Sequence, residues 1–278
     1  MKGLFDTHSH SQFSFDGKKT TVEKSAGAAM NNGLGGICFS DHCDLYTPPM
    51  KSNLDNWAPE NFDIQEQQSE INRVQALLSP DRSFKVLKGI EIGLYEDFHK
   101  EIREILASNR FDLVIASVHY IEQTDPYYGG FYDDKNWKDA YGKYLEAIYR
   151  EMTWMGDFDI MGHYDYIVRY APYEENCIRY RDFSDIFDAM FKYLTQEGKA
   201  LEINTKSYGM HGDREVILDL EVLKRYREMG GEIISLGSDS HDPMRPGDKF
   251  SHHAEVLRSL GFRWTAYYEN RKLVQIPL

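Results

Sequence analysis

Leu4-Phe5-Asp6-Thr7-His8-Ser9-His10 closes a short apolar run with two histidines separated by one residue. Side chains two positions apart on an extended backbone point the same way, so His8 and His10 can present both imidazoles to one point. Neutral imidazole is a borderline ligand suited to zinc, iron or manganese. Taken alone, such a pair is also what a solvated strand end looks like, so the reading turns on recurrence. The pattern recurs along the chain.

Further short apolar runs lie near residues 36–40, 85–92, 112–118, 159–163, 200–204 and 232–236, with a last one near 263–268. Helical patterns separate them. Thr20-Thr21-Val22-Glu23 reads as a capping box. Apolar stripes at helical spacing follow: Ile64, Ile71, Val74, Leu77 and Leu78; Tyr141, Leu145, Ile148 and Met152; Phe183, Phe187, Met190 and Leu194; Val222, Leu223, Tyr226 and Met229. Strand and helix alternating about seven times give a parallel sheet with helices outside. No internal repeat or Pro/Gly/Ser linker interrupts the chain, so residues 1–278 are expected to form one domain.

The carboxyl ends of these runs carry the polar residues. The first delivers His8 and His10, with Asp16 in the following loop, and the second Asp41-His42. The third places Glu91 inside Gly89-Ile90-Glu91-Ile92, an apolar setting where an unpaired carboxylate is costly. The fourth to seventh end on His119, His163, Glu202-Ile203-Asn204 and Asp239-Ser240-His241. Six of the ten histidines thus sit at strand ends. In a βα barrel those ends converge on one face, where active sites are built, which favours a closed barrel. His99, His211, His252 and His253 fall elsewhere and read as surface residues. Nine donors (His8, His10, Asp16, His42, Glu91, His119, His163, Asp239 and His241) exceed what one catalytic zinc takes. Two or three divalent cations follow, with the two-oxygen carboxylates of Glu91 and Asp239 as candidate bridges.

Composition narrows the setting. A chain of 278 residues, 41% hydrophobic, fits one α/β barrel with a substantial core. No apolar run approaches the ~18–20 residues that cross a bilayer, and Met1-Lys2-Gly3-Leu4-Phe5 leads straight into Asp6 without a signal-peptide core. Cys38, Cys43 and Cys177 are too scattered for a disulfide framework, so a reducing cytoplasm is expected. The formal charge of −13 argues against a nucleic-acid partner. A group of bound cations reverses that sign locally, so a small phosphate ester remains a compatible partner.

Together these pieces resemble the polymerase-and-histidinol-phosphatase (PHP) family, and within it the branch of monofunctional histidinol-phosphatases. The matching segments are Asp6-Thr7-His8-Ser9-His10, Ser40-Asp41-His42, Gly89-Ile90-Glu91, Ser117-Val118-His119, Gly162-His163-Tyr164-Asp165, Glu202-Ile203-Asn204-Thr205 and Ser238-Asp239-Ser240-His241. The resemblance implies a distorted (βα)7 TIM-like barrel with a trinuclear centre of zinc, iron or manganese. One cation would take His8, His10, Glu91 and Asp239, a second Glu91, His119 and His163, and a third Asp16, His42 and His241. The family often has histidine where this chain has Asp16. Arg169 matches a phosphate-binding arginine of that branch. A second match falls on Arg214, with Lys206 as its alternative, because residues 206–213 depart from the shorter family pattern.

The implied activity is hydrolysis of L-histidinol phosphate in histidine biosynthesis, by in-line attack of a hydroxide held between two cations. Asp41 is the residue to try as proton donor to the leaving group, and Tyr120 joins Arg169, Arg214 and Lys206 as a substrate contact. The segment Asp125-Pro126-Tyr127-Tyr128-Gly129-Gly130-Phe131-Tyr132-Asp133-Asp134 is rich in aromatics and acids. It reads either as a surface loop or as a cover for the ammonium and imidazole of such a substrate. Two other readings stay open at this point: a PHP phosphoesterase of nucleotides, nucleic-acid ends or phosphotyrosine, and a non-catalytic metal-binding module.

Overall fold

The computed structural model describes residues 3–46 and 61–278. Parallel strands form its centre: β1 (Phe5–Ser9), β2 (Gly36–Phe39), the short β3 (His42–Asp44), β4 (Lys85–Gly93), β5 (Leu113–Ser117), β6 (Ile160–Met161) and β7 (Ala200–Asn204). An antiparallel pair, β8 (Gly209–His211) and β9 (Arg214–Val216), precedes the last parallel strand, β10 (Ile234–Gly237). The sheet runs β1-β2-β4-β5-β6-β7-β10, and β3 pairs with β4 just beyond β2. Between β10 and β1 the circle closes through a parallel bridge of Ser9 with Ser240. The Asp239 amide donates to the His8 carbonyl at 2.7 Å, and the His10 amide to the Ser240 carbonyl at 2.9 Å. The result is a seven-stranded barrel.

Helices α1 (Val22–Asn31), α2 (Ile64–Leu78), α3 (His99–Ser108), α4 (Trp137–Met155), α5 (Ser184–Glu197), α6 (Leu220–Glu228) and α7 (Phe250–Ser259) surround it. Their apolar stripes bury where the spacing predicts: Tyr141, Leu145, Ile148 and Met152 on α4, and Phe187, Met190 and Leu194 on α5. Leu77 is the exception, 56% exposed at the end of α2. The cap of α1 is Thr21, whose hydroxyl accepts the Lys24 amide, while Thr20 pairs with the Ser25 hydroxyl instead. His253 is buried against Tyr208 rather than on the surface. His99 stacks on Trp154 and meets the buried Glu151 at 2.7 Å.

The last apolar run is not another barrel strand. Asn270 and Arg271 both take positive φ (53° and 63°), the geometry that lets a two-residue turn follow strand twist. The chain therefore doubles back as β11 (Trp264–Glu269) and β12 (Lys272–Pro277). This hairpin closes the amino-terminal end of the barrel. Tyr267 stacks on Phe5 with centroids 4.1 Å apart, and Tyr267 and Tyr268 join a buried cluster with Cys38, Leu87, Ile115 and Ile160. Ion pairs lock its rim, Lys85 to Glu269 and Arg271 to Asp159, both at 2.5 Å. With one end plugged, the open end is the one that carries the histidines. No described helix is long and apolar enough to cross a membrane.

Candidate metal centre

Glu91 is the hub of the open end. It belongs to β4, is fully buried, and divides its two oxygens between two sets of imidazoles. Oε1 lies 3.2 Å from His119 Nε2 and 3.0 Å from His163 Nε2, and accepts the Ser117 hydroxyl at 2.7 Å. Oε2 lies 3.2 Å from His8 Nε2, 3.5 Å from His10 Nε2 and 2.9 Å from His42 Nδ1. Asp239 faces Glu91 across the barrel, with Oδ1 3.4 Å from His10 Nε2. Its backbone is held at φ +47°, an uncommon conformation for a residue with a side chain, and one often found at functional sites. Asp16 completes the set from the loop after β1. Its Oδ2 is 2.8 Å from His241 Nε2 and 3.7 Å from His42 Nε2. All nine sequence-predicted donors therefore meet.

Their electrostatics suit cations. Burial alone would raise Glu91, but the neighbouring His8, His119 and His42 outweigh it and hold the carboxyl well below its ordinary range. Asp239 is likewise held down against burial by Lys206 and Arg169. Burial, then the charges of His241 and His42, push His10 well below its usual value, leaving a neutral ring with a free lone pair. Buried His8 Nε2, His10 Nε2, His241 Nε2 and Glu91 Oε2 crowd together at these distances, yet none of their contacts among the described residues has hydrogen-bond geometry. Such orphaned atoms are rare and costly unless something else binds them. Four triads have mutually close donor atoms, within 4.8 Å: His8/His10/Asp239, His8/Glu91/His163, His42/Glu91/His119 and His10/His42/His241. The residues fit a group of divalent cations. His42 reaches both the Glu91–His119 side and the Asp16–His241 side with its two ring nitrogens.

Behind the imidazoles stand groups that orient them, as metal-binding histidines require. Glu202 Oε1 lies 2.7 Å from His8 Nδ1, and its Oε2 accepts the His163 amide at 2.8 Å. Asp44 Oδ1 lies 3.0 Å from His119 Nδ1. Gly237 lets β10 pass close to the first of these pairs: a Cβ there would sit 2.6 Å from the His8 Cβ and collide with Glu202 Oε1. Ser14 Oγ lies 2.9 Å from His10 Nδ1 and donates to Asp41 Oδ1 at 2.9 Å. Asp41 is thus no proton donor to a substrate. It is fully buried, accepts from Ser11, Ser14 and Gln67, and lies off the cavity. Glu202, Asp44 and Ser14 are absent from the sequence-predicted site. The one available signal was Glu202, a carboxylate inside an apolar strand like Glu91.

A cavity of about 490 Å³ opens over the donors. Arg169 and Lys206 line it beside Asp239. Arg169 Nη1 donates to Asp239 Oδ2 at 2.9 Å, Nη2 to Asn204 Oδ1 at 2.9 Å, and Nε to Ser207 Oγ at 3.1 Å. Lys206 Nζ is 3.1 Å from Asp239 Oδ1. Arg214 is elsewhere: it donates to the carbonyls of Val168, Tyr173 and Glu175 and does not reach the cavity. The β8–β9 hairpin holds Arg214 against those carbonyls, so among the described residues Lys206 is the second cationic side chain, with Arg169, to line the cavity. Tyr120 lies behind Tyr46, stacked on it at 4.2 Å, so Tyr46 and not Tyr120 meets the cavity. Asp125, Tyr127 and Tyr128 from the aromatic loop also line the cavity, whereas Phe131 and Tyr132 turn into the core.

The chain matches a family model described as the PHP domain over residues 6–206. It is 34% identical over 274 residues to the histidinol-phosphatase of Lactococcus lactis subsp. lactis, covering 98% of this chain and 97% of that protein. It is 30% identical over 269 residues to a probable histidinol-phosphatase of Clostridium acetobutylicum, covering 96% and 98%. Among solved structures it is similar to histidinol phosphate phosphatase (HISK) from Lactococcus lactis, complexed with zinc, L-histidinol and phosphate. That similarity has a TM-score of 0.85 at 30% identity and covers 99% of this chain and 100% of the other.

Proposed function

The chain belongs to the PHP-domain family, and from that premise we propose that it is a histidinol-phosphatase, hydrolysing L-histidinol phosphate to L-histidinol and phosphate. The observation that carries this reading is the meeting of nine imidazole and carboxylate donors beside Arg169 and Lys206 in one cavity. The similar Lactococcus lactis structure is complexed with zinc, L-histidinol and phosphate. His8, His10, Glu91 and Asp239 would hold one cation, Glu91, His119 and His163 a second, and Asp16, His42 and His241 a third. When bound, these cations neutralise phosphate oxygens and make a water acidic enough to attack at neutral pH.

The rest falls to the protein's own groups. Arg169 is pre-positioned by Asp239, Asn204 and Ser207, so its guanidinium needs no reordering to meet a phosphate oxygen. Lys206 supplies a second positive charge from the loop after β7. Tyr166 and Tyr170 wall the cavity and limit the water around the ester. All three cysteines are free and buried, which supports a reducing, cytoplasmic setting.

Phosphate release from histidinol phosphate, nucleotides and phosphotyrosine, with metal analysis of the same sample, tests the reading. Two to three divalent metals per chain and a clear preference for histidinol phosphate are expected. Metal-loaded protein that prefers a nucleotide or phosphotyrosine would overturn the substrate, and one that turns over no phosphate ester would overturn the enzyme.

A further inference from the structure

Four carboxylates line the cavity among the described residues: Asp16, Asp44, Asp125 and Asp239. Three are already engaged by cations or imidazoles. Asp16 meets His241 and His42, Asp44 meets His119, and Asp239 meets His10, Arg169 and Lys206. Asp125 differs. It is 8% exposed, and no histidine, lysine or arginine lies within ion-pair distance of it among the described residues. Its hydrogen bonds both fall on Oδ1, from the Tyr127 amide at 2.9 Å and the Tyr166 hydroxyl at 3.4 Å. A buried carboxylate without a cationic partner is costly to ionise, and a cationic ligand group relieves that cost.

The backbone fixes where this carboxylate sits. Asp125 caps the short helical turn Pro126–Tyr128, which anchors it to the cavity wall. The Tyr166 ring spans the gap to the metal-ligand candidates, 5.1 Å from the His163 ring and 5.3 Å from that of His119, while its hydroxyl reaches Asp125. Tyr170 packs edge-on against both Tyr166 and Tyr127, at 5.2 Å and 5.1 Å. Arg169 lies over the same Tyr166 ring, 5.4 Å from its centroid, while the ring's hydroxyl meets Asp125, so this tyrosine stands between the guanidinium and a carboxylate that has no cationic partner. A molecule with phosphate at one end and an ammonium at the other matches that polarity, and tyrosine faces favour a cation or a flat heteroaromatic ring.

We propose that Asp125 is a specificity-determining residue that binds the substrate's ammonium group, with the imidazole lying against the Tyr166–Tyr170–Tyr127 wall. This assignment rests on the histidinol phosphate reading above and adds how that substrate is told from other phosphate esters. A carboxylate–ammonium contact inside a largely closed cavity is a charge-assisted hydrogen bond, stronger than a neutral one. An ester lacking the amine forfeits it and leaves Asp125 buried without a partner.

The test compares metal-loaded wild type, Asp125→Asn and Asp125→Glu on two esters, histidinol phosphate and its deamino analogue imidazolylpropyl phosphate. Both esters carry the same imidazole and phosphate, so their ratio of kcat/KM isolates the amine, and metal content verifies the centre in each variant. Wild type is expected to favour the amine-bearing ester by about tenfold or more, and Asp125→Asn to lose most of that preference, chiefly through KM. Asp125→Glu, which keeps the charge, is expected to retain more of it than Asp125→Asn. A wild type indifferent to the amine, or an Asp125→Asn variant with the wild-type ratio, overturns the proposal while leaving the activity in place. A wild type that hydrolyses an aryl phosphate but neither imidazole ester overturns the histidinol phosphate reading, and the role of Asp125 with it.

Discussion

Glu202 Oε1 lies 2.7 Å from His8 Nδ1, on the side of the ring opposite the nitrogen that faces Glu91. The same carboxylate accepts the His163 amide through Oε2, so one residue of β7 fixes groups on both sides of the centre. Glutamine cannot replace it. An amide offers an acceptor at one end only, and its NH₂ would confront either His8 or the His163 amide. Glu202→Gln is expected to weaken metal binding by about 10–100-fold with the barrel intact. Metal retained after dialysis against graded chelator, alongside an unchanged far-UV circular dichroism spectrum, measures this.

Arg214 gives a second prediction. By donating to the carbonyls of Val168, Tyr173 and Glu175 it straddles Arg169 and pins the segment that carries it. Arg214→Met keeps the stem and removes the donors, freeing that segment. KM for the phosphate ester is expected to rise by roughly tenfold, equivalent to about 1.4 kcal/mol, with metal content unchanged. A steady-state KM equal to wild type would show that the β8–β9 hairpin does not position the cation.

These two cases mark where sequence reading succeeds and stops. Six histidines were legible because strand alternation and strand ends are local patterns, and Glu91 because a carboxylate among Gly89, Ile90 and Ile92 demands a partner. Glu202 has the same setting, but local pattern does not say which neighbour a buried oxygen faces. Asp41 and Asp44 show the same limit. Both flank His42-Cys43, yet Asp41 turns to Ser11 and Gln67 while Asp44 turns to His119. Those partners lie 26 to 75 positions away in the sequence. Arg214 does not reach the cavity because it sits on β9, where the hairpin turns it onto the carbonyls of Val168, Tyr173 and Glu175. The last apolar run is legible as a strand, but its return as β12 is not, because the turn at Asn270-Arg271 lacks the glycine that usually marks such a reversal.

That terminal hairpin should matter for stability and not for chemistry. Tyr267 is 6% exposed, stacks on Phe5 within 5° of parallel, and its hydroxyl accepts from Lys85 Nζ at 3.0 Å. Truncating a buried aromatic leaves a cavity the barrel floor cannot fill. Tyr267→Ala is expected to cost about 3 kcal/mol in urea unfolding of the metal-loaded protein. Turnover per bound metal should stay at the wild-type value, since the hairpin closes the end of the barrel away from Glu91.

The last prediction concerns pH and Asp125. Burial pushes this carboxyl up to about 6, partly offset by the Tyr127 amide. The other groups acting on it are His119, which lowers it, Asp44, which raises it, and the Tyr166 hydroxyl, which lowers it. A raised carboxyl is ionised above its shifted value and neutral below it, so its attraction for an ammonium is present above pH 6 and fades as pH falls through 6. Raw rates would not reveal this, because the substrate's phosphate and imidazole titrate in the same region. The ratio of kcat/KM for histidinol phosphate to that for imidazolylpropyl phosphate, taken in wild type relative to Asp125→Asn at each pH, removes both, because the two proteins share the same pair of esters. That relative ratio is expected to fall as pH drops from 8 to 5, with a midpoint near 6. A relative ratio that is flat across this range would mean the ammonium is held by something other than this carboxylate.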